Sequence, residues 1–155
     1  MNAPIRQCIV SILTGVLSVG LPLPARAATP PATSPGPEPI KVVIPASATP
    51  RNPVKIATVS AGQKITVTIG HVLWTGGGTK TGRSTDWHGF RDRLEKNSLP
   101  WMALVFAVGK KNILPDKKEF TFDAPADGDL VAFANDGNPN GNTGKGEVTV
   151  TISPK

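Results

Sequence analysis

The chain has 155 residues, a single cysteine, no tyrosine and a formal charge of +6. One cysteine excludes a disulfide framework, so a folded domain here must be held by its core. Charge this mild, spread over a chain that is 39% hydrophobic, points to a globular domain rather than a charged tail. Residues 1–27 read as a secretory leader. Arg6 supplies the positive start, residues 8–23 form an apolar run too short and Pro-interrupted for a membrane span, and Ala25-Arg26-Ala27 supplies the small residues that signal peptidase reads. A membrane anchor is the competing reading. Cleavage after Ala27 predicts a periplasmic or secreted protein that has lost Cys8. The mature chain keeps 15 basic against 11 acidic residues, or +4. These charges are dispersed, with Lys110-Lys111 and Lys117-Lys118 at expected strand ends, and no basic face with interleaved aromatics marks a nucleic-acid binder.

Residues 28–39, ATPPATSPGPEP, form a Pro-rich tether that should stay extended. One domain then runs over residues 40–155. Strands are expected at 41–44, 54–59, 64–69, 72–74, 101–108, 119–123, 129–134 and 147–152. In 64–69, Ile65, Val67 and Ile69 alternate with Lys64, Thr66 and Thr68, and in 147–152 Val148, Val150 and Ile152 do the same. In 129–134, Leu130, Ala132 and Ala134 share one face. Residues 101–108 are apolar on both faces, which suits a strand covered on both sides or one at the contact of a homo-oligomer. Turn signals separate these runs and no long helical period occurs. The fold class is therefore all-β, an antiparallel sandwich or jelly roll.

Two polar stretches break the pattern. Residues 76–99 carry Trp87, His88 and Phe90 among Arg83, Asp86, Arg91 and Asp92, with 91–96 expected as one helical turn. Residues 135–146 hold Asp136, four asparagines (Asn135, Asn138, Asn140, Asn142) and four glycines. Carboxylate, amide and carbonyl oxygens are the hard ligands that calcium prefers. The second stretch reads as a cation or sugar site, or as an ordinary long hairpin loop. A loop Trp can stack on a sugar face, which makes Trp87 a candidate, whereas Trp74 and Trp101 flank apolar runs and are expected in the core. Enzyme signatures are absent: there is no nucleophile elbow, no HExxH, no phosphate loop, and His71 and His88 lack metal-ligand spacing.

The runs ALVFAVG, FTFDAP and GDLVAFANDG, followed by a Gly/Asn loop and VTVTI, resemble the galactose-binding lectin family of PA-IL (LecA) type over residues 42–152. The segment AGQKITVTIGHVLWTGGG is similar to that family's upstream strand and Trp. The resemblance implies a galactose-binding-domain-like sandwich without catalytic activity, binding galactose-like glycans with calcium as cofactor. It implies that Asp136 gives the ion a carboxylate and so serves the sugar bound there, that Gly76 or Gly77 and Asn140 give backbone carbonyls, and that His88 contacts the sugar. The family's adjacent pair of calcium-binding asparagines falls on Thr143 and Gly144, or on Gly141 and Asn142 if the loop shifts by two residues. The pair is not intact, and Asn142 is the one amide ligand it leaves, so calcium should be held weakly. The alternative is a structural or protein-interaction sandwich that has lost the sugar site.

Overall fold

The computed structural model describes residues 36–77 and 82–155. The expected leader over 1–27 and the expected tether as far as residue 35 lie outside the described residues. All regular elements among the described residues are strands, and all pairings are antiparallel. No helix among them is long and apolar enough to cross a membrane.

One sheet is built on β3 (Lys64–Thr75). On one side β3 pairs with β11 (Thr143–Ile152), which pairs in turn with β1 (Ile40–Pro45). On the other side β3 pairs with β9 (Glu119–Asp123) and, near its end, with β4 (Ser84–Thr85). The second sheet runs β2 (Val54–Val59), β10 (Gly128–Ala134), β7 (Leu104–Val108) and β8 (Lys111–Ile113). A separate hairpin joins β5 (Phe90–Leu94) to β6 (Pro100–Trp101). Alternation decides which side chains turn inward. Ile65, Val67, Ile69, Val148 and Val150 of the first sheet meet Leu104, Phe106, Leu130 and Ala132 of the second in one continuous core. Phe106 of β7 meets Phe120 of β9 edge-on across it, with centroids 5.7 Å apart. Each such side chain contributes about 1.5–3 kcal/mol when fully buried. All five residues of β7 are buried, as its two-faced apolar character predicts.

Three expected boundaries shift, each for a local reason. The strands expected at 64–69 and 72–74 are one strand with a bulge. Ile69 lies opposite Val148 and Val72 opposite Gly146, so Gly70 and His71 face Glu147 alone. The extra residue moves the buried positions from Ile65, Val67 and Ile69 to Val72 and Trp74, which in sequence looks like a break. The strand expected at 101–108 is cut at Met102, whose left-handed backbone (φ 61°) separates β6 from β7. The helical turn expected at 91–96 is instead β5 and the hairpin turn that follows it. Trp87 and Phe90, in a stretch that read as too polar for the core, are both buried.

Candidate functional site

Strand β10 is followed by two polar residues that are nonetheless buried: Asn135 is 1% exposed and Asp136 5%. A buried amide or carboxylate without partners costs several kcal/mol, so the chain around these two must supply hydrogen bonds. Asn135 takes them from the β5–β6 turn. Its Oδ1 accepts from Asn97 Nδ2 at 2.7 Å, and its Nδ2 donates to the Leu99 and Pro100 carbonyls at 3.1 and 2.9 Å. Its backbone carbonyl accepts from Met102 N–H at 2.9 Å. Asp136 closes its own loop: Oδ1 accepts from Asn138 N–H at 2.8 Å and Oδ2 from Asn142 Nδ2 at 2.9 Å.

Asn142 carries the connection across to the other polar stretch. Its Oδ1 accepts from Gly77 N–H at 3.0 Å, and its Nδ2 also faces the Ala46 carbonyl and Met102 Sδ at 3.2 and 3.4 Å. One end of the amide meets a donor and the other meets acceptors, which fixes its orientation. Met102 is thereby held at both backbone and side chain, which maintains a conformation that costs a non-glycine residue about 1–2 kcal/mol.

Beside this network stands an aromatic stack. The Trp101 ring is 4% exposed and lies on Phe90 at 4.9 Å. Gly76 permits this approach, because a Cβ there would come within 2.8 Å of the indole. The guanidinium of Arg93 lies over the Trp101 ring at 4.1 Å. Two open clefts share these walls. One, of about 270 Å³, is lined by Gly77, Arg93, Trp101, Asp136, Asn138 and Asn140. The other, of about 510 Å³, is lined by the Pro50-Arg51 turn, the β5–β6 turn and residues 135–138. Asn138 and Asn140 are exposed. The Asn140 backbone N–H donates to Asn138 Oδ1 at 3.3 Å, and among the described residues no protein hydrogen bond engages the Asn140 side-chain amide or Asn138 Nδ2, so both can reach a ligand.

The four residues expected at a metal site, Asp136, Gly77, Asn140 and Asn142, thus come together. His88 and Trp87, expected at the sugar, line neither cleft. Trp87 is 6% exposed with the His88 ring stacked on it at 3.6 Å, so its indole offers no open platform. It borders a third cleft with Gly70, His71, Val72, Asp86 and Lys118. His88 is fixed by Asp86, which accepts from its backbone N–H at 2.9 Å and lies 3.0 Å from Nδ1 through both oxygens. Gly89 completes that turn at φ +71°, where a Cβ would strike the Ala103 amide and the Trp101 carbonyl. Partial burial pushes the Asp86 carboxyl up, but the His88 backbone N–H, its ring and Arg91 outweigh this and hold it below the ordinary 3.8. Sequence reading missed Arg93 and the cleft-side role of Trp101, and placed Asn138 in the polar loop without a role of its own. The available signal was the polar alternation of Arg91, Asp92 and Arg93 after Phe90, which fits a strand as well as a helical turn.

Calcium requires six to eight oxygen ligands. Among the described residues no three His, Cys, Asp or Glu side chains cluster as a metal site. Both oxygens of Asp136 already accept N–H groups, and Asn142 turns its nitrogen, not its oxygen, toward the carboxylate. The Arg93 guanidinium lines the same cleft and repels a dication. This donor set does not fit a resident calcium ion.

Two outcomes follow for stability. Asn142→Ala removes the bonds of this amide to the Gly77 N–H, the Ala46 carbonyl and one oxygen of Asp136, and should cost about 1–3 kcal/mol in urea unfolding. A loss near zero would contradict the linkage. Asp86, its native value depressed, adds stability that is present above 3.8 and lost as pH falls through the lower native value. Asp86→Asn should therefore be less stable than wild type at neutral pH, and the gap should close below pH 3.8. A gap of constant size across the acid range would contradict this.

No protein-family model matches the chain, and no curated protein matches it. Among solved structures, the fold is similar to the EclA N-terminal domain, described as a PllA-like lectin. The two share 22% identity and a TM-score of 0.56, over 74% of this chain and 96% of that one. The chain shares the β-sandwich fold of that lectin domain.

Proposed function

We propose that this domain is a non-catalytic carbohydrate-binding module of a periplasmic or secreted protein. Its site is the cleft between the β5–β6 hairpin, Gly77 and the 135–142 loop, and galactoside-type glycans are its ligand class. The observation that carries the reading is a single wall combining exposed side-chain amides with a guanidinium held over a buried indole. Asn138 and Asn140 offer amide N–H donors, and Asn140 an acceptor, to sugar hydroxyls, and the exposed Arg93, held over the buried Trp101, adds guanidinium N–H donors. Pre-set geometry matters for a small ligand, because a small contact must still offset lost translational freedom. The buried bonds of Asn135, Asp136 and Asn142 hold the loops without help from the ligand. The lectin fold of the similar structure supports the same reading.

The test is a broad glycan array followed by titration of the best ligand. Asn140→Ala should weaken binding about tenfold, the loss of one or two hydrogen bonds, whereas His88→Ala should leave it unchanged. If His88→Ala abolishes binding while Asn140→Ala does not, the site lies at the Asp86–His88 turn instead. A blank array would favour a sandwich that engages another macromolecule.

A further inference from the structure

We infer that the preferred ligand is an acidic glycan, its carboxylate or sulfate held by Arg93 where a metal-assisted site would place a cation. This rests on the carbohydrate reading above and narrows it. The guanidinium carbon of Arg93 lies over the Trp101 ring, 4.1 Å from its centroid, and a cation–π contact of this kind leaves the N–H donors of the group for hydrogen bonds. Trp101 is itself fixed by Phe90 and by the close approach of Gly76, so the fork is aimed before a ligand arrives. A fork held in this way matches the two oxygens of a carboxylate or a sulfate ester.

The charges of the cleft point the same way. Arg93 lines both clefts, and Arg51 and Lys96 line the larger one beside it. Among the described residues none of the three has a carboxylate within 4.0 Å, whereas Lys55, Lys64, Arg83 and Lys145 are each paired with an aspartate or glutamate. The two clefts hold two carboxylates between them. Asp136 is turned inward onto N–H donors, and Glu95 sits on the Gly137 side, with Oε2 4.0 Å from where a Cβ of Gly137 would lie. The outer wall is left cationic, with neutral amides of Asn138 and Asn140 next to Arg93. An anionic substituent would meet the guanidinium while the ring hydroxyls meet the amides. A cation-bridged ligand needs the opposite polarity at this wall.

The experiment titrates the purified full chain, in EDTA, with matched neutral and acidic glycans: lactose against sialyllactose and sulfolactose, and galactotriose against trigalacturonate. The acidic members should bind about tenfold tighter or more, as expected for a charge-assisted contact. Preference for the sialylated and uronate members identifies a carboxylate, and preference for sulfolactose a sulfate. Arg93→Gln, with melting temperature confirming that it folds, should bring the acidic-to-neutral affinity ratio close to one. Arg93→Lys, which keeps the charge and loses the fork, should restore part of it. Neutral members binding as well as acidic ones, with the ratio unmoved by Arg93→Gln, overturns this inference and leaves the carbohydrate reading standing. Binding that vanishes in EDTA and returns with calcium overturns it as well. A single-stranded oligonucleotide competing as well as the acidic glycans overturns it in favour of a general polyanion patch. A panel with no binding overturns both readings.

Discussion

Two buried polar side chains at the end of one strand organise this end of the molecule. Asn135 and Asp136 follow four buried residues of β10, in the sequence Leu-Val-Ala-Phe-Ala-Asn-Asp, of which only Val131 is partly exposed. Their burial is tolerable only because other loops bring donors and acceptors to them. The hydrogen bonds of Asn135 position the β5–β6 turn. Those of Asp136 position the Asn-rich loop, and Asn142 passes the constraint on to Gly77 and Ala46. The cleft walls are thus the segments that satisfy buried polar groups. Recognition surface and structural necessity coincide here.

The consequence for chemistry is a site assembled by amides. A bound cation can tie two loops together by drawing carbonyls and carboxylates toward one charge. In this chain the Asn142 carboxamide links the same two stretches through covalently anchored donors and acceptors. The Asp136 charge that such an ion would use is already engaged. That leaves the outer wall to Arg93, whose guanidinium is carried on an aromatic stack away from competing carboxylates. Polarity at the cleft is set by which oxygen atoms are turned inward, not by how many the loop contains.

Most of the sandwich was legible in the sequence because its strands obey the two-residue alternation that one buried face demands. Ile65, Val67, Val148 and Val150 are where that pattern places them. The misses lie where geometry departs from periodicity. A bulge at Gly70 and His71 reverses the phase of β3, and a left-handed Met102 cuts an otherwise continuous apolar run. Asp136, Gly77, Asn140 and Asn142 were recognisable as one neighbourhood from composition and resemblance. Their hydrogen-bond polarity was not, since an amide reads the same in sequence whichever end it presents. Arg93 was invisible because its partner, Trp101, lies across a hairpin whose β5 arm did not read as a strand. Residues Arg51, Arg93 and Lys96 looked dispersed along the chain and converge only when the hairpin folds beside the Pro50 turn.

The central claim is that side-chain amides, rather than a metal ion, hold the loops of this cleft. Amide hydrogen exchange read residue by residue addresses it directly, since the backbone N–H groups of Gly77, Asn138 and Met102 are donors in the network. All three should exchange slowly, with protection unchanged between EDTA and millimolar calcium. Rapid exchange in EDTA that becomes slow when calcium is added would contradict the account.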